Sequence, residues 1–209
     1  MFVITADQID SRHDRDRAGE MIVDLEAQYG EAFILPPDQT SGDEIQVLIR
    51  DAAATLDTIL LLQRSGYWSI GIGIGDVRTP LPAATRQAAG SAFIAARHAV
   101  TRAKKADAHV AIDMHDSDTS LLTVEQVEAL LTMLLLLRQR RSKEGWEAVD
   151  LLEHGLSQIE IAGTLGISSA AVSQRVKSAQ YRVEQTARPA IVRLLEHLDR
   201  SPRETDITA

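Results

Sequence analysis

The sequence predicts a protein of the α+β class, with a mixed N-terminal half and an all-helical C-terminal half. Residues 1 to about 115 alternate short β-branched runs with longer stretches of helical periodicity, whereas residues from about 121 onward show helical periodicity alone. The segment between them, His115-Asp-Ser-Asp-Thr-Ser120, is polar and rich in turn-forming residues. It is therefore predicted to separate two domains.

The N-terminal half is predicted to contain a β-sheet with helices. Strands are expected over residues 1–6, 32–35, 44–50, 68–77 and 109–113, and helices over residues 13–29, 52–64 and 88–106. This order contains the βαββαβ arrangement of ferredoxin-like folds. In such a sheet the first and third strands are neighbours, and one face stays open to a ligand or a second subunit. Residues 1–115 are therefore predicted to form a ferredoxin-like sensor or dimerisation domain.

The C-terminal half begins with a long predicted helix over residues 123–141, where Thr123 and Gln126 have the spacing of a capping box. Its leucine-rich face suits a partner helix from the same chain or a second one, so residues 121–144 are expected to connect two domains. Further helices are expected over residues 146–154, 157–165, 168 or 169 to 186, and 189–198, with Pro189 opening the last. Residues 145–200 then form a second domain, and residues 201–209 a disordered tail.

Residues 155–176 have the pattern of a helix-turn-helix. Ala162 lets two helices approach closely, Gly166 supplies backbone freedom for the turn, and Ser168 or Ser169 can cap the second helix. The predicted buried face consists of Ile159, Ile161, Leu165, Ile167, Val172 and Val176. The predicted DNA contacts, to base edges or phosphates, are Thr164, Ser168, Ser169, Ala170, Ser173, Gln174, Arg175, Lys177 and Arg182. A plain helical hairpin in a packed bundle is the alternative interpretation.

The charge distribution favours a site-specific DNA binder over a general nucleic-acid coat. The net charge is −8 over 209 residues, whereas a general coat is normally basic. Two segments are basic, however: residues 138–143, and residues 169–193, where Glu184 is the single acidic residue. The chain has no cysteine, no signal-peptide pattern and no apolar run long enough for a bilayer, which predicts a cytoplasmic protein without a membrane partner.

Acidic residues lie at the ends of two predicted strands that are expected to be neighbours in the sheet. Asp7 is placed just after the first strand, and Asp43 and Glu44 lie at the start of the third. Carboxylates gathered at one end of a sheet suit Mg²⁺, which prefers oxygen ligands. The alternative is that Asp7 and Asp43 cap turns.

The segment Ser69-Ile-Gly-Ile-Gly-Ile-Gly75 places glycines on alternate positions of one strand. It lacks the G-x-G-x-x-G turn into a helix, so it does not predict a dinucleotide site. Glycines on one strand face allow close approach of a helix, a partner sheet or a ligand, and Gly73 is a candidate ligand contact. In the first loop, Ser11 and Arg12 either meet a phosphate or solvate the loop.

Four short segments together resemble, in order and spacing, the landmarks of the SatD family. They are Asp7-Gln-Ile-Asp-Ser-Arg12, Ser41-Gly-Asp-Glu-Ile-Gln46, Ile70-Gly-Ile-Gly-Ile-Gly75 and Gly90-Ser-Ala-Phe-Ile-Ala-Ala-Arg97. The same landmarks are distantly similar to the palm domains of nucleotide cyclases and GGDEF-type diguanylate cyclases. That resemblance implies metal binding by Asp7 and Asp43 with Glu44 adjacent, and makes Arg97 and Lys104 candidates for contacting a triphosphate. The helix-turn-helix segment is similar to region four of sigma factors.

From the sequence we expect a transcription regulator that binds specific double-stranded DNA sites as a homodimer. Its N-terminal domain either senses a nucleotide-like ligand, with Asp7, Ser11, Arg12, Gly73 and Arg97 as candidate contacts, or serves mainly for dimerisation. The alternative is a Mg²⁺-dependent nucleotide-processing enzyme of cyclase-like fold that its helix-turn-helix localises to DNA.

Overall fold

The computed structural model describes residues 1–40, 42–114 and 122–200 of the chain. The strands in this part are β1 (Phe2–Gln8), β2 (Phe33–Gln39), β3 (Glu44–Ile49), β4 (Trp68–Ile74) and β5 (Val110–Met114). The helices are α1 (Ala18–Tyr29), α2 (Ala52–Ser65), α3 (Ser91–Ala103), α4 (Val124–Gln139), α5 (Lys143–Glu153), α6 (Gln158–Leu165), α7 (Ser169–Ser178) and α8 (Tyr181–Arg200). The predicted α+β class is confirmed. None of these helices has the length and apolar character that a membrane crossing requires.

The five strands form one mixed sheet in the order β2-β3-β1-β4-β5. β1 is antiparallel to both of its neighbours, β3 and β4, while β5 runs parallel to β4. The prediction that the first and third strands are neighbours is therefore confirmed. Because β1 continues to Gln8, Asp7 lies within the strand instead of just after it, and its partner across the ladder is Glu44.

The two faces of β4 carry side chains of very different size. Over residues 70–75 isoleucine and glycine alternate, so the isoleucines share one face and the glycines the other. The isoleucines are fully buried, and α2 contacts β4. α3 packs closely on the glycine face. The expectation that one face of the sheet stays open is therefore wrong over β4, because a strand without side chains lets a helix backbone settle on it.

The edge strand β2 is longer than predicted, since it continues through Pro36 and Pro37 to Gln39. Proline has no backbone N–H, but an edge strand needs ladder donors on one side only. The pairing of β2 with β3 also shifts register between Phe33 and Leu35 and again between Leu35 and Asp38. The predicted end of this strand at residue 35 is therefore wrong.

Helix ends differ from the predicted ones by a few residues. α1 begins at Ala18 instead of residue 13, because the preceding residues form a turn in which Arg17 pairs with Asp14 at 2.6 Å. The capping box before α4 is confirmed. The Gln126 side-chain oxygen accepts from the Thr123 N–H at 3.0 Å, and the Thr123 hydroxyl accepts from the Gln126 N–H at 3.4 Å.

The chain forms two compact units, which we name the sheet unit (Met1–Thr132 with the stretch from Ile191) and the helical unit (Met133–Ala190). The divisions between the two units fall inside α4 and inside α8. The first part of α4 belongs to the sheet unit because Glu128 accepts a hydrogen bond from the Ile112 N–H at 2.7 Å. The predicted boundary segment and the predicted tail, residues 201–209, lie outside the described residues.

The predicted second helix of the C-terminal motif ends earlier than expected. α7 stops at Ser178, and Gln180 adopts a left-handed conformation with φ 55°, which breaks the helix before α8 begins. Pro189 lies inside α8 and does not open it. The helix continues through this residue at the cost of one backbone hydrogen bond.

Candidate functional site

Two short helices of the helical unit, α6 and α7, are joined by a tight turn. Ser157 and Glu160 form a capping box at α6, in which each accepts a hydrogen bond from the backbone N–H of the other, at 3.4 and 2.8 Å. The bonds from Ser157 lower the pKa of the Glu160 carboxyl. Gly166 ends α6 with φ 65°, a conformation that costs glycine no steric strain. Ser168 then caps α7 by accepting from the Ala171 N–H at 3.2 Å, as predicted.

An apolar cluster holds α6 and α7 against α5. Its buried members are Ala148, Ile161, Ala162, Val172 and Val176, and Leu165 and Ile167 pack against them. The predicted packing face is thus confirmed except for Ile159, which is 77% exposed. Residues two apart on a helix point in nearly opposite directions, so Ile159 cannot share the buried face of Ile161.

The outer face of α7 is polar and exposed. Its exposed residues are Ser169, Ala170, Ser173, Gln174, Lys177 and Ser178. Ser173 and Lys177 also line a groove of about 230 Å³ together with Arg182 from the start of α8. Most of the residues predicted to contact DNA therefore share one surface.

Three predicted DNA contacts have other interactions in the structure. Arg175 pairs with Glu147 of α5 at 2.9 Å, so it links α7 to α5 and is not presented on the outer face. The Thr164 hydroxyl donates to the Glu160 carbonyl oxygen at 3.0 Å, and Ser168 serves as the cap of α7. In the structure Arg175 therefore links α7 to α5, and its contact with DNA stays a prediction.

The Glu184 carboxylate is fully buried between two buried arginines of the helical unit. It accepts hydrogen bonds from Arg138 and, at 2.7 Å, from Arg141. Arg141 Nε also donates to the Ala179 carbonyl oxygen at 3.0 Å, and both guanidinium groups lie over the Trp146 ring. Burial lowers the pKa of Arg138, and the Glu184 charge opposes that shift. This buried ionic network ties the C-terminal end of α7 to α4 and α5.

The buried ionic network also changes the charge that the helical unit shows to solvent. Glu184 is the single acidic residue among residues 169–193, and its charge is compensated in the interior. Lys177 and Arg182 are both exposed. The exposed surface of residues 169–193 therefore carries no acidic side chain. The basic run 138–143 contributes less than expected, because two of its arginines belong to the buried network.

In the sheet unit, Asp7 and Glu44 lie opposite each other on β1 and β3. The Lys104 ammonium donates to Asp7 at 2.8 Å, and the Arg97 guanidinium donates to Glu44 at 3.3 Å. The Thr40 hydroxyl donates to the same Glu44 oxygen at 2.7 Å. Each carboxylate is thus paired with a cation: Glu44 with Arg97 of α3, and Asp7 with Lys104, the residue after α3.

This arrangement does not fit the Mg²⁺ site predicted from Asp7, Asp43 and Glu44. Within the described part of the chain, no group of three or more His, Cys, Asp or Glu side chains is placed to hold a metal ion. Asp43 precedes β3 and approaches β1 through its backbone, where its carbonyl oxygen accepts from the Gln8 N–H at 3.3 Å. The residue opposite Asp7 is Glu44, and both of these carboxylates are engaged in ion pairs, while metal binding by Asp7, Asp43 and Glu44 stays a prediction.

The glycines of β4 serve packing. A Cβ at Gly73 would come within 3.0 Å of backbone atoms of Ala92 and Ala96, and a Cβ at Gly71 would come as close to the backbone of Val100. Real Cβ atoms do not approach backbone that closely, so α3 fills the space above both glycines. The prediction of Gly73 as a ligand contact is therefore wrong.

The remaining predicted ligand contacts lie apart. Ser11 and Arg12 belong to a turn after β1 in which His13 and Asp10 interact at 2.7 Å. Neither residue lines the cleft of the sheet unit that is formed by α3 and the connection after β4. Arg97 does line that cleft. The other two arginines of this cleft, Arg78 and Arg86, were not predicted from the sequence. They lie in the long, proline-containing connection after β4, and long connections often carry function.

The geometry defines a protein with one mixed α+β unit and one helical unit that presents a basic, polar helix face. The chain matches the model of the SatD family over residues 2–195, a range that includes nearly all described residues of both units. The protein therefore belongs to the SatD family. No curated protein sequence and no solved structure matches the chain.

Proposed function

We propose that the protein is a transcription regulator that binds specific sites on double-stranded DNA, with α6 and α7 as its helix-turn-helix. The main support is the surface of α7. It exposes hydroxyl, amide and ammonium groups, while the single acidic side chain of residues 169–193 is buried and compensated. Polar side chains on an exposed helix suit base edges in a major groove, and nearby cations suit phosphates.

In the proposed complex α7 enters the major groove. Ser169, Ala170, Ser173, Gln174 and Lys177 then face the bases, whereas Arg182 contacts a phosphate. Gln174 is the strongest candidate for reading sequence, because its carboxamide can donate to one base atom and accept from another. In the structure this amide donates a long hydrogen bond of 3.3 Å to the Ser178 hydroxyl, which a base can replace as the partner.

The proposed regulator acts as a homodimer. A single helix-turn-helix reads few base pairs, and dimers of such proteins bind paired half-sites. α4 supports this part of the proposal, because Leu130 and Met133 are exposed on it, 42% and 67% respectively. Cytoplasmic localisation is part of the same proposal.

For the sheet unit we propose a ferredoxin-like arrangement related to the palm domains of nucleotide cyclases. The strand order β2-β3-β1-β4 with an antiparallel β1 supports this assignment. We further propose that this unit senses a small ligand instead of performing metal-dependent chemistry, since its converging carboxylates are engaged by Lys104 and Arg97.

We expect Arg182→Ala to weaken binding to every DNA sequence and to reduce the slope of log K against log salt by about 1. Gln174→Ala is expected to cost about 1–3 kcal/mol at the preferred site and much less on other DNA, because it removes a base contact. Binding isotherms on specific and unrelated duplexes, measured at several salt concentrations, check both expectations.

Lys105→Ala is the matched control, because Lys105 is an exposed cation of the sheet unit. It should leave both affinities and the salt slope unchanged. Equal and uniform losses from Gln174→Ala and Arg182→Ala would contradict the assigned roles, and unchanged binding in both would contradict the interface itself.

A further inference from the structure

A cleft of the sheet unit, lined by α3 and the connection after β4, holds about 650 Å³, within the usual range for sites of small organic ligands. Three arginines line it: Arg78 and Arg86 from the connection after β4, and Arg97 from α3. Asp76 is the one carboxylate among its lining residues. Several guanidinium groups at one cleft favour an anion that accepts paired hydrogen bonds, such as a phosphate.

The cations at the cleft can be recruited by such an anion. Arg86 pairs with Asp38 at 3.1 Å and Arg97 with Glu44 at 3.3 Å, and both guanidinium side chains are more than half exposed. Each guanidinium group has five N–H donors, so it can bond to an anion in the cleft while it keeps its carboxylate partner. Arg78 is exposed and makes no ion pair within the described residues.

The wall that carries two of these arginines is held in place. The Thr85 hydroxyl is fully buried and donates to the Pro36 carbonyl oxygen at 2.7 Å. The Arg78 N–H donates to the Ala89 carbonyl oxygen at 2.8 Å. A site with a fixed backbone pays less ordering entropy when it binds a ligand.

The rest of the cleft is suited to an organic body attached to the anion. Phe93 and Ile94 contribute apolar surface, and Ile94 is 54% exposed although it is a large apolar residue. Gln46 also lines the cleft and is only 5% exposed. Its amide donates a long bond of 3.4 Å to Glu44, and no described residue donates to its amide oxygen. A buried carboxamide can donate one hydrogen bond and accept another, so Gln46 beside apolar side chains is suited to bind the polar edge of a flat ring.

We propose that this cleft binds an organic monophosphate with a flat body, of the nucleoside monophosphate class. The arginines hold the phosphate, Phe93 and Ile94 contact the body, and Gln46 bonds to its edge. This inference deepens the ligand-sensing part of the proposed function and is independent of DNA binding by α7.

The test is calorimetric titration of the full chain with the four ribonucleoside monophosphates and with inorganic phosphate. We expect saturable binding of at least one nucleotide with a Kd below about 1 mM, and weaker binding of phosphate. Arg78→Ala should weaken binding by roughly tenfold or more, because a charge-assisted hydrogen bond is lost. Ile94→Asp should do the same by placing a carboxylate at the exposed wall.

Arg50→Ala, an exposed cation outside the cleft, should bind as the wild type does. The absence of saturable nucleotide binding, or wild-type affinity in Arg78→Ala and Ile94→Asp, would overturn the proposal. Phosphate binding as tight as nucleotide binding would overturn the ligand class. DNA affinity of the same variants separates the two proposals, since Arg78→Ala should keep DNA binding and Lys177→Ala should keep nucleotide binding.

Discussion

Glu184→Gln is expected to lower the free energy of unfolding of the helical unit by about 3–5 kcal/mol. The change removes the one negative charge of the buried ionic network and leaves Arg138 and Arg141 close together without compensation. Like charges in a poorly solvated site repel each other and cannot recover their hydration. Urea and thermal unfolding followed by circular dichroism measure the loss.

Glu147→Gln is the matched control for this change. Glu147 also pairs with an arginine, Arg175, but its side chain is 50% exposed, so the expected loss is at most about 1 kcal/mol. Similar losses of unfolding free energy in the two variants would contradict the claim that the Glu184 charge matters because it is buried. Because Arg141 also holds the Ala179 carbonyl at the end of α7, Glu184→Gln should reduce DNA affinity although Glu184 is not exposed.

Gly73→Ala is expected to destabilise the sheet unit by about 3 kcal/mol. The added Cβ would overlap the backbone of Ala92 and Ala96, and backbone inside a helix cannot rotate away as a side chain does. α3 would have to move off β4 to accommodate it. The same unfolding measurements apply, and loss of folded protein in expression would be the extreme form of the expected result.

Gly19→Ala provides the control, because a Cβ at Gly19 of α1 meets no atom within 4 Å. That change should be neutral or stabilise by up to about 1 kcal/mol, since alanine favours helix. A Gly73→Ala variant as stable as Gly19→Ala would contradict the packing of α3 on the glycine face.

Features set by neighbouring residues could be predicted from the sequence. The cap at Ser168, the turn at Gly166 and the box of Thr123 with Gln126 each depend on residues a few positions apart. The strand order near β1 also followed from the order of elements. The sequence was sufficient to predict the caps and the turn because the groups that form them are close together in the chain.

Features set by distant residues could not be predicted. Arg138 and Glu184 are 46 positions apart, so nothing local distinguishes their buried pair from surface charges. The glycines of β4 fit packing and ligand access equally well until α3 is placed on them. The cleft lined by Arg78 and Arg97 likewise depends on how the connection after β4 folds back.

The central claim is that the exposed face of α7 binds specific DNA. Its most direct test is incubation of the purified protein with sheared genomic DNA at near-physiological salt, followed by sequencing of the retained fragments. The double variant Lys177→Ala with Arg182→Ala is treated in parallel. The account predicts enrichment of a few sites that share a repeated half-site, and loss of that enrichment in the double variant. Absence of any enriched site, or the same sites retained by the double variant, would contradict it.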